Sequence, residues 1–426
     1  MKKSEYKIHI IGAGISGLIA AKVLEENGYH PKILEASDSI GGRVKSDYVE
    51  GFTLDHGFQV LLTSYSAAKK YLDYTSLKLQ ELLPGATIFS DGKSQTIGDP
   101  LRKISFLLPT IFSSVGSIKD KIKILQLNTI LKKKTLEAIF KTPEITTLHY
   151  LQEFGFSEKI ITTFFKPFFS GIFLEPNLET SSRMFEFVYK MFGDGLAAIP
   201  KNGMQEIPNQ LFTTLKNTKI QFETRVKEVK NNSIILVDGT EIATNFTIIA
   251  TEASSLISNL KNQEIEWKSC DTLYFECEKR VLKSPIIGLI ADEKALVNNI
   301  FYHTSVQIFG ENSKELLSVT IVKNHDLSEE NLIKSVQKEL NNFCGIDDAK
   351  FLKRYQIKKA LPKISNLQYE LSHTETQLNS SVFLAGDVLL NGSLNAAMIA
   401  GERAAIGVIK TLEDGLVVDE LTSEYQ

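Results

Sequence analysis

The 426-residue chain is 43% hydrophobic and 23% charged, which is near the average for globular proteins and excludes a wholly disordered chain. Its length suits about two or three domains of ~150 residues and allows a large buried core. The net charge of −3 gives no overall attraction to nucleic acid, so no nucleic-acid partner is expected.

The cysteines and the apolar segments bear on compartment. Cys270, Cys277 and Cys344 form no C-x-x-C pair, and their odd number argues against a disulfide framework and a zinc site. We therefore expect no metal and a reducing compartment. The apolar run at residues 8–11 is too short for a signal peptide, and no segment reaches the ~18 apolar residues of a membrane span. A cytoplasmic protein is expected, in at most peripheral contact with the inner membrane.

Residues 7–35 are predicted to form a βαβ unit. Residues 7–11 indicate a buried strand, residues 18–27 a helix that ends at Gly28, and residues 31–35 a second strand. The turn between the first strand and the helix has the sequence G-A-G-I-S-G. A G-x-G-x-x-G turn at this place in a βαβ unit is typical of a dinucleotide-binding site.

Each residue of this turn has a separate predicted role. Gly12 permits the tight turn, Gly14 lets the backbone approach a pyrophosphate, and Gly17 lets the helix pack close to the strand. Ile15 and Ser16 lie where the chain passes into the helix, whose free N–H groups and positive dipole end favour phosphates. The turn therefore predicts that a dinucleotide is bound through its phosphates.

The residues after the second strand extend this predicted site. Glu35 would accept hydrogen bonds from ribose hydroxyls and repel a 2′-phosphate, which favours FAD or NAD over NADP. Ala36 follows it, and the triplet Gly41-Gly42-Arg43 comes next. The glycine pair suits a second approach to the same pyrophosphate, with Arg43 paired with a phosphate oxygen. A plain turn with a solvated arginine is the alternative.

Residues 101–141 are both basic and apolar. The segment has nine Lys or Arg residues against Asp120 and Glu137, and leucine, isoleucine and phenylalanine are interleaved with them. A basic amphipathic region can lie on an anionic membrane surface. The alternative, which we favour, is a solvated helix face on a globular cap.

Phenylalanines crowd the segment that follows. They predict either the wall of an apolar tunnel for a lipophilic substrate or ordinary core. These residues are Phe164, Phe165, Phe168, Phe169, Phe173, Phe185 and Phe187.

The C-terminal region favours FAD over NAD. Residues 382–385 predict a buried strand, Gly386-Asp387 follow it, and residues 394–412 predict a helix. Small residues on one face of this helix predict close packing near Ala20 and Ala21 of the first helix. The helix N-terminus would stabilise the negative edge of a reduced flavin, which a simple NAD domain does not need.

Further strands are predicted between the two ends. Residues 224–229 and 233–237 indicate a strand pair with a turn at residues 238–239, and residues 246–251 indicate another buried strand. No second G-x-G-x-x-G is present in the sequence, so a nicotinamide dinucleotide site is not supported.

Four parts of the chain together resemble the FAD-dependent amine oxidase/phytoene desaturase superfamily. They are the first glycine turn with Glu35, residues 41–43, residues 200–204 with Leu211, and Gly386-Asp387 with the final helix. Two further stretches, 54–60 and 166–174, resemble its bacterial and plant amine oxidase-like branch.

The resemblance implies an α/β fold, with a Rossmann-type (GR2-like) FAD-binding domain and an inserted α+β substrate domain. Residues 1–84, 199–261 and 369–426 are expected to form the discontinuous FAD-binding domain. Residues 85–198 and 262–368 are expected to form the substrate-binding domain.

The resemblance also implies how FAD is held, non-covalently because no cysteine follows Cys344. Five parts of FAD are expected to meet the protein. Backbone would contact the adenine, and carboxylates would contact the ribose and the ribitol. An arginine would contact the pyrophosphate, and a helix N-terminus would contact the flavin. The residues concerned are, in that order, Val226, Glu35 with Asp387, Arg43, and Asn395 with Ala396.

Candidates for catalysis are few. His56 and Gln59 could face the flavin ring, with His56 as a proton-transfer group or, alternatively, as a structural histidine. Lys323 is a candidate for holding a water near the flavin N5, as a lysine does in amine oxidases. Tyr302 is a candidate for the aromatic cage of those enzymes, which the sequence does not otherwise place.

The leading hypothesis is dehydrogenation or desaturation of a lipophilic organic substrate by hydride transfer to the flavin N5. Oxygen or a quinone would then re-oxidise the flavin. Three alternatives stay open: flavin-dependent amine oxidation, redox-neutral flavin-dependent isomerisation, and a non-enzymatic lipid-binding module of the same fold.

Overall fold

The computed structural model describes residues 2–90, 92–100, 102–260, 264–306 and 314–415. Its strands in chain order are β1 (Ile8–Ile11), β2 (Lys32–Leu34), β3 (Ser46–Val49), β4 (Phe52–Asp55), β5 (Leu61–Leu62), β6 (Gln80–Glu81), β7 (Gly85–Ser90), β8 (Lys93–Gly98), β9 (Ala197–Ile199), β10 (Lys219–Gln221), β11 (Val226–Val229), β12 (Ser233–Leu236), β13 (Glu241–Ala243), β14 (Phe246–Ile249), β15 (Trp267–Cys277), β16 (Ile287–Ile290), β17 (Val297–Tyr302), β18 (Glu315–Ile321), β19 (Lys350–Pro362) and β20 (Val382–Leu384).

The helices alternate with these strands in a mixed α/β arrangement. In chain order they are α1 (Ile15–Glu26), α2 (Ser66–Tyr71), α3 (Tyr74–Leu77), α4 (Leu107–Phe112), α5 (Ile118–Lys133), α6 (Leu136–Phe140), α7 (Thr147–Glu153), α8 (Glu158–Ile160), α9 (Lys166–Phe173), α10 (Ser182–Asp194), α11 (Glu206–Thr213), α12 (Glu329–Cys344) and α13 (Leu394–Asp414). Among the residues described, no helix is both long and apolar enough to cross a membrane.

A parallel sheet brings the two ends of the chain together. Its strand order is β10-β2-β1-β14-β20, and each of these neighbouring pairs is parallel. All four residues of β1 are buried, as expected for a strand covered on both faces. Because parallel strands end at one edge, the glycine turn after β1 and Gly386-Asp387 after β20 lie at the same edge.

Helices α1 and α13 pack closely through small residues, as the sequence predicts. Ala20 and Ala21 of α1 and Ala404 of α13 have no exposed surface. A Cβ added at Gly401 would lie 2.2 Å from the carbonyl oxygen of Ser16, so only glycine permits this approach. This contact fixes the start of α13 beside the glycine turn.

A second, larger sheet carries the strands of the intervening segments. Its order is β19-β15-β18-β17-β16-β7-β8, and β7 joins it through a parallel pairing with β16. One face packs on α12 through Leu332, Val336 and Leu340. Helices α4 to α10 lie between β8 and β9 in the chain and form a helical cap over the space between the two sheets.

The predicted elements of the cofactor end are found, with shifted boundaries. The first helix begins at Ile15 rather than at residue 18, because Gly14 is its N-cap. The final helix extends to Asp414 and ends at Gly415, whose φ of 68° lies in the left-handed region. The turn at residues 238–239 connects β12 to β13, a strand that the sequence did not indicate.

Candidate cofactor and substrate cavity

One cavity of about 2000 Å³ extends from the parallel sheet into the helical cap. Its lining comes from distant parts of the chain, including Gly12, Glu35, Arg43 and Asp387 at one end and Phe168 of α9 further along. The distant motifs therefore line the same space. This is what a long dinucleotide ligand would need, because its two ends would contact different motifs.

The glycine turn forms a cradle at the start of this cavity. Gly12 has a φ of 102°, which a residue with a Cβ rarely adopts, and this permits the tight turn. A Cβ added at Gly14 would meet no atom within 4 Å, so the open cavity lies in front of it. A Cβ added at Gly17 would lie 2.0 Å from the Gly12 carbonyl oxygen, so Gly17 permits the contact of helix and strand.

The second glycine pair lies against the first turn. The N–H of Gly41 donates to the carbonyl oxygen of Ala13 at 2.9 Å. Gly42 has a φ of 61°, and a Cβ there would lie 3.4 Å from the Cα of Gly14. Two segments that the sequence separates by a strand and a helix thus approach the same part of the cavity with bare backbone.

Glu35 occupies the predicted place at the end of β2. Its Oε2 accepts a hydrogen bond from the N–H of Ala13 at 2.6 Å. Its Oε1 accepts from the N–H of Ser37 at 2.8 Å and from the Ser37 hydroxyl at 2.7 Å. These bonds hold the carboxylate beside the glycine turn, where the ribose of a dinucleotide would lie.

Arg43 and Asp387 form an ion pair between the N-terminal and C-terminal motifs. Nη2 of Arg43 lies 2.5 Å from Oδ1 of Asp387, whose side chain is almost fully buried. The guanidinium also lies over the Trp267 ring, with Cζ 5.1 Å from the ring centroid, within the range of a cation–π contact. Here Arg43 meets a carboxylate and an indole, whereas the sequence predicted a phosphate partner.

His56 belongs to a polar cluster at the cavity wall. Its Nε2 lies 3.0 Å from Oδ2 of Asp47, and its ring lies 4.4 Å from the ring of Tyr355. The Tyr355 hydroxyl donates to the same Oδ2 at 2.8 Å. Partial burial raises the pKa of Asp47, but hydrogen bonds from Tyr355 and His56 outweigh it and leave the pKa lowered. A carboxylate thus holds one ring nitrogen of a histidine that lines the cavity.

Gln59 holds the loop that carries His56. Its Nε2 donates to the carbonyl oxygens of Arg43 at 2.9 Å and of His56 at 3.1 Å. Both carbonyls belong to residues of the cavity wall. The amide therefore ties the arginine and histidine loops together, which is a positioning role.

The far part of the cavity is largely apolar. Phe164, Phe168, Phe169 and Phe173 line it, whereas Phe165, Phe185 and Phe187 are buried without lining it. The predicted phenylalanine cluster is therefore divided, with one group at the wall and one in the core behind it. Phe169 contacts both groups, with its ring centroid 4.7 Å from that of Phe185.

The family model for flavin-containing amine oxidoreductases matches residues 15–409. The chain belongs to this family. The resemblance drawn from the motifs is confirmed at the level of this family, whose description implies a flavin cofactor, and the fold is mixed α/β.

Individual relatives of the family cover the chain only in part. Protoporphyrinogen oxidase 2 of Arabidopsis thaliana is 25% identical over 167 residues, which are 39% of this chain and 32% of that protein. Hydroxysqualene dehydroxylase of Zymomonas mobilis is 46% identical over 66 residues, 15% of this chain and 16% of that protein. The chain therefore aligns with less than a third of either relative.

A solved oxidoreductase structure from Methanosarcina mazei has the same fold. Its TM-score is 0.71 at 16% identity, and the match covers 95% of this chain and 100% of that one. The features on which FAD binding depends fit the cofactor of the family. The open space before Gly14 suits a pyrophosphate, and Glu35 is held where a ribose would need an acceptor.

Two predictions about catalytic groups are corrected by the structure. The Lys323 ammonium donates to the carbonyl oxygens of Glu293 at 2.6 Å and Ala295 at 2.5 Å, and Lys323 is not among the described residues that line the cavity. Tyr302 is buried in the core between the larger sheet and α12. Neither residue can meet a substrate in the cavity.

Four predicted cofactor contacts lie beside the cavity rather than in its described lining. Ala36 is exposed, and Val226 is buried in a small core with Ile11. The Asn395 side chain accepts from the N–H of Ala67 at 3.0 Å. The N–H of Ala396 donates to the Ser393 hydroxyl at 3.0 Å, so this helix cap already uses a donor that was assigned to the flavin.

Several residues of the site were missed by the sequence interpretation. Asp47 and Tyr355 lie on β3 and β19, more than 300 positions apart, so no local spacing connects them. Trp267 was noticeable as the single tryptophan, but nothing in the sequence placed it against Arg43. Cys270 also lines the cavity, and burial raises the pKa of its thiol to about 12, so it remains protonated.

Proposed function

We propose that this protein binds FAD non-covalently in a Rossmann-type domain and dehydrogenates or desaturates an apolar organic substrate. The observation that carries the proposal is the single cavity that joins the bare glycine cradle to a wall of phenylalanines. The glycine cradle suits a dinucleotide, and the phenylalanine wall suits an apolar molecule.

The residues that would hold FAD follow from the cradle. Gly12, Gly14 and Gly42 would admit the pyrophosphate, Glu35 would accept from the ribose, and Asp387 would lie toward the ribitol. When bound, FAD supplies a two-electron acceptor that takes a hydride from carbon. The start of α13, held by the Gly401 contact, would face the flavin end with its positive dipole.

The apolar wall would orient the substrate and exclude water. Phe164, Phe168 and Phe169 offer ring faces and no hydrogen-bonding groups, which favours hydrocarbon over a polar amine. The Zymomonas relative is named hydroxysqualene dehydroxylase. For a hydrocarbon substrate, the main task of the apolar wall would be to match its shape and to exclude water.

His56 is the residue that we assign to proton transfer. Desaturation removes a hydride from one carbon and a proton from its neighbour, and the proton needs an acceptor. Nε2 of His56 lies 3.0 Å from Oδ2 of Asp47 and the residue lines the cavity, so the imidazole is the group that we assign as acceptor. Gln59 would position this loop without touching the substrate.

The remaining parts of the proposal concern organisation and partners. Residues 1–84, 199–261 and 369–426 would bind FAD, while residues 85–198 and 262–368 would bind the substrate. The pairing of β7 with β16 supports this division, because it joins the two segments assigned to the substrate domain. Oxygen or a quinone would re-oxidise the flavin. Residues 101–141 would make peripheral contact with the inner membrane.

The test is a spectroscopic one. The purified protein should show a flavin absorption spectrum, or acquire one with added FAD, and apolar candidates should bleach it without oxygen. Polyenes, long-chain alkenes and porphyrinogens are compared with polyamines of similar length. A colourless protein that takes up no FAD, or bleaching by the amines alone, would contradict the proposal. Turnover without any electron acceptor would favour the isomerase alternative.

A further inference from the structure

Exposed apolar side chains are concentrated in one part of the helical cap. They lie on α4, on α5 and in the turn before α4, and together we call them the apolar face. Its members are Ile104, Leu107, Leu108, Ile111, Phe112, Ile118, Ile122, Leu125 and Ile130. Elsewhere in the described chain, exposed large apolar residues are scattered, as is usual on a globular surface.

Helix α4 shows how unusual this surface is. Its sequence is L-L-P-T-I-F, and none of its residues is buried. Phe112 is 80% exposed and Leu108 is 63% exposed. An apolar helix on a globular cap normally turns at least one side inward, because leaving large apolar side chains in water costs free energy. The apolar side chains of α4 are therefore left partly or largely uncovered by the described chain.

Helix α5 continues the same face with helical periodicity. Ile118, Ile122 and Leu125 follow one another at i, i+4 and i+7 and are all exposed, whereas Leu127 and Leu131 on the opposite side are buried. The Lys121 ammonium donates to the carbonyl oxygens of Ile111 and Ser113, each at 2.8 Å, which ties α5 to the end of α4. The two helices thus present one continuous surface.

Unpaired lysines surround the apolar face. Lys103, Lys119, Lys132 and Lys133 are exposed, and in the part of the chain that the structure describes none is paired with a carboxylate. Asp120, an acid within α5, is buried and caps the helix by accepting from Ser117. The rim of the face is therefore positive, although the whole chain is slightly acidic.

The cavity reaches the surface at this face. Leu107, Ile111 and Leu125 are exposed and also line the cavity, at 39%, 51% and 46% exposure. Ile124 and Leu131 continue the lining inward from α5. A molecule that enters between α4 and α5 would therefore meet these apolar side chains, with Thr110, Lys121 and Asn128 beside them, before it reached the phenylalanines.

We propose that the apolar face docks on a lipid bilayer with anionic headgroups and that an apolar substrate enters the cavity directly from it. Phe112, Leu108 and their neighbours insert among the acyl chains, and the lysines of the rim contact lipid phosphates. The entry route rests on the function proposed above, whereas the docking itself does not.

A second copy of the chain is a less suitable occupant. In a two-fold symmetric dimer the same face would meet itself, so Lys119 and Lys133 of one copy would approach the same rim of the other. Like charges at an interface oppose association. An anionic bilayer satisfies both the apolar centre and the positive rim.

Binding to vesicles tests the docking. The FAD-loaded protein is floated with vesicles of phosphatidylcholine alone or mixed with phosphatidylglycerol, and bound protein is quantified by flavin absorbance. We expect binding to the mixed vesicles that weakens as salt is added. The double variant Leu108→Gln/Phe112→Gln should bind at least about tenfold more weakly. The matched control Phe212→Gln/Phe222→Gln, at exposed phenylalanines away from the face, should bind as the wild type does.

The charge component needs its own pair of variants. Lys119→Gln/Lys133→Gln should weaken binding to mixed vesicles by about fivefold for each lysine. Lys69→Gln/Lys338→Gln, which removes two exposed lysines elsewhere, should leave it unchanged. Equal binding to both vesicle types, or equal loss in both pairs of variants, would contradict the proposal.

Two further outcomes would also overturn it. One is a yellow, FAD-loaded wild type that binds neither vesicle type; this would leave the flavin chemistry intact and refute only the docking. The other is a dimer in sedimentation that binds no vesicles and becomes monomeric when Leu108 and Phe112 are replaced. The apolar face would then be an interface between copies.

Discussion

The two ends of the cavity are built in opposite ways. At the cofactor end, backbone meets backbone, and Gly17 and Gly401 are glycine because a Cβ would overlap a carbonyl oxygen. At its opening in the helical cap, Leu107 and Ile111 line the cavity and are still 39% and 51% exposed. Steric fit within the chain sets the glycine contacts of the first end, whereas the opening leaves apolar surface uncovered by the described chain. Substitutions at the closest backbone contacts should therefore affect folding, and substitutions at residues that face open space should affect binding or turnover.

The largest effect is expected for Gly17→Ala. The added Cβ would lie 2.0 Å from the Gly12 carbonyl oxygen, so helix α1 must move away from β1. We expect a loss of about 3 kcal/mol or more in the free energy of unfolding, measured by urea denaturation. Gly193→Ala is the control, since a Cβ there meets nothing within 4 Å. An unaltered stability of Gly17→Ala would refute the close packing at this end.

The stability of the fold should depend on pH through Asp55 of β4, which lies between Met204 and the larger sheet. Its side chain accepts from the N–H of Met204 at 2.9 Å, and its carbonyl oxygen accepts from Tyr274 of the larger sheet at 2.8 Å. Burial raises its pKa from 3.8 to about 6. Between these values the folded protein binds more protons than the unfolded chain, so stability falls as pH rises from about 4 to about 6.

This pKa difference corresponds to a change of at most about 3 kcal/mol in the free energy of unfolding. Urea denaturation across this pH range should show the fall in the wild type, and Asp55→Asn should lack it. Asp238→Asn serves as the control, because a backbone hydrogen bond from Thr240 lowers the pKa of Asp238 and gives the opposite sign. The same pH profile in wild type and Asp55→Asn would exclude this role of Asp55.

At the substrate end, His56→Gln should change turnover and spare folding. The loss of the proton acceptor is expected to lower kcat by about 100-fold, with FAD content and unfolding midpoint preserved. Asp47→Asn should lower kcat less, because the imidazole remains but loses its orienting carboxylate. His149→Gln, another histidine that pairs with a carboxylate (Glu153), is the control and should turn over normally. Full activity of His56→Gln would leave His56 only a structural role.

The smallest effect on stability is expected for Gly14→Ala, in the same glycine turn as Gly17. Gly14→Ala places a Cβ in open space before the turn, so stability should change by less than about 1 kcal/mol, the cost of a poorer N-cap. FAD should nevertheless bind about tenfold more weakly, because the methyl group enters the space for the pyrophosphate. Titration of the apoprotein with FAD measures this. Undiminished affinity would show that the phosphates lie elsewhere.

The sequence determined the cofactor end because its signals are local. The spacing of Gly12, Gly14 and Gly17 after a buried strand reflects φ angles and contacts within a single turn. The small face of α13 can be recognised from helical periodicity. Such signals need no knowledge of the rest of the chain, and the family match agrees with them.

Only the tertiary structure decided which groups meet across long separations. Arg43 forms an ion pair with Asp387, and Asp47 and Tyr355 lie beside His56. Lys323 donates to carbonyl oxygens of a neighbouring turn. The tertiary structure also left the apolar side of α4 uncovered. These outcomes depend on packing between segments hundreds of residues apart, for which composition, periodicity and spacing carry no signal.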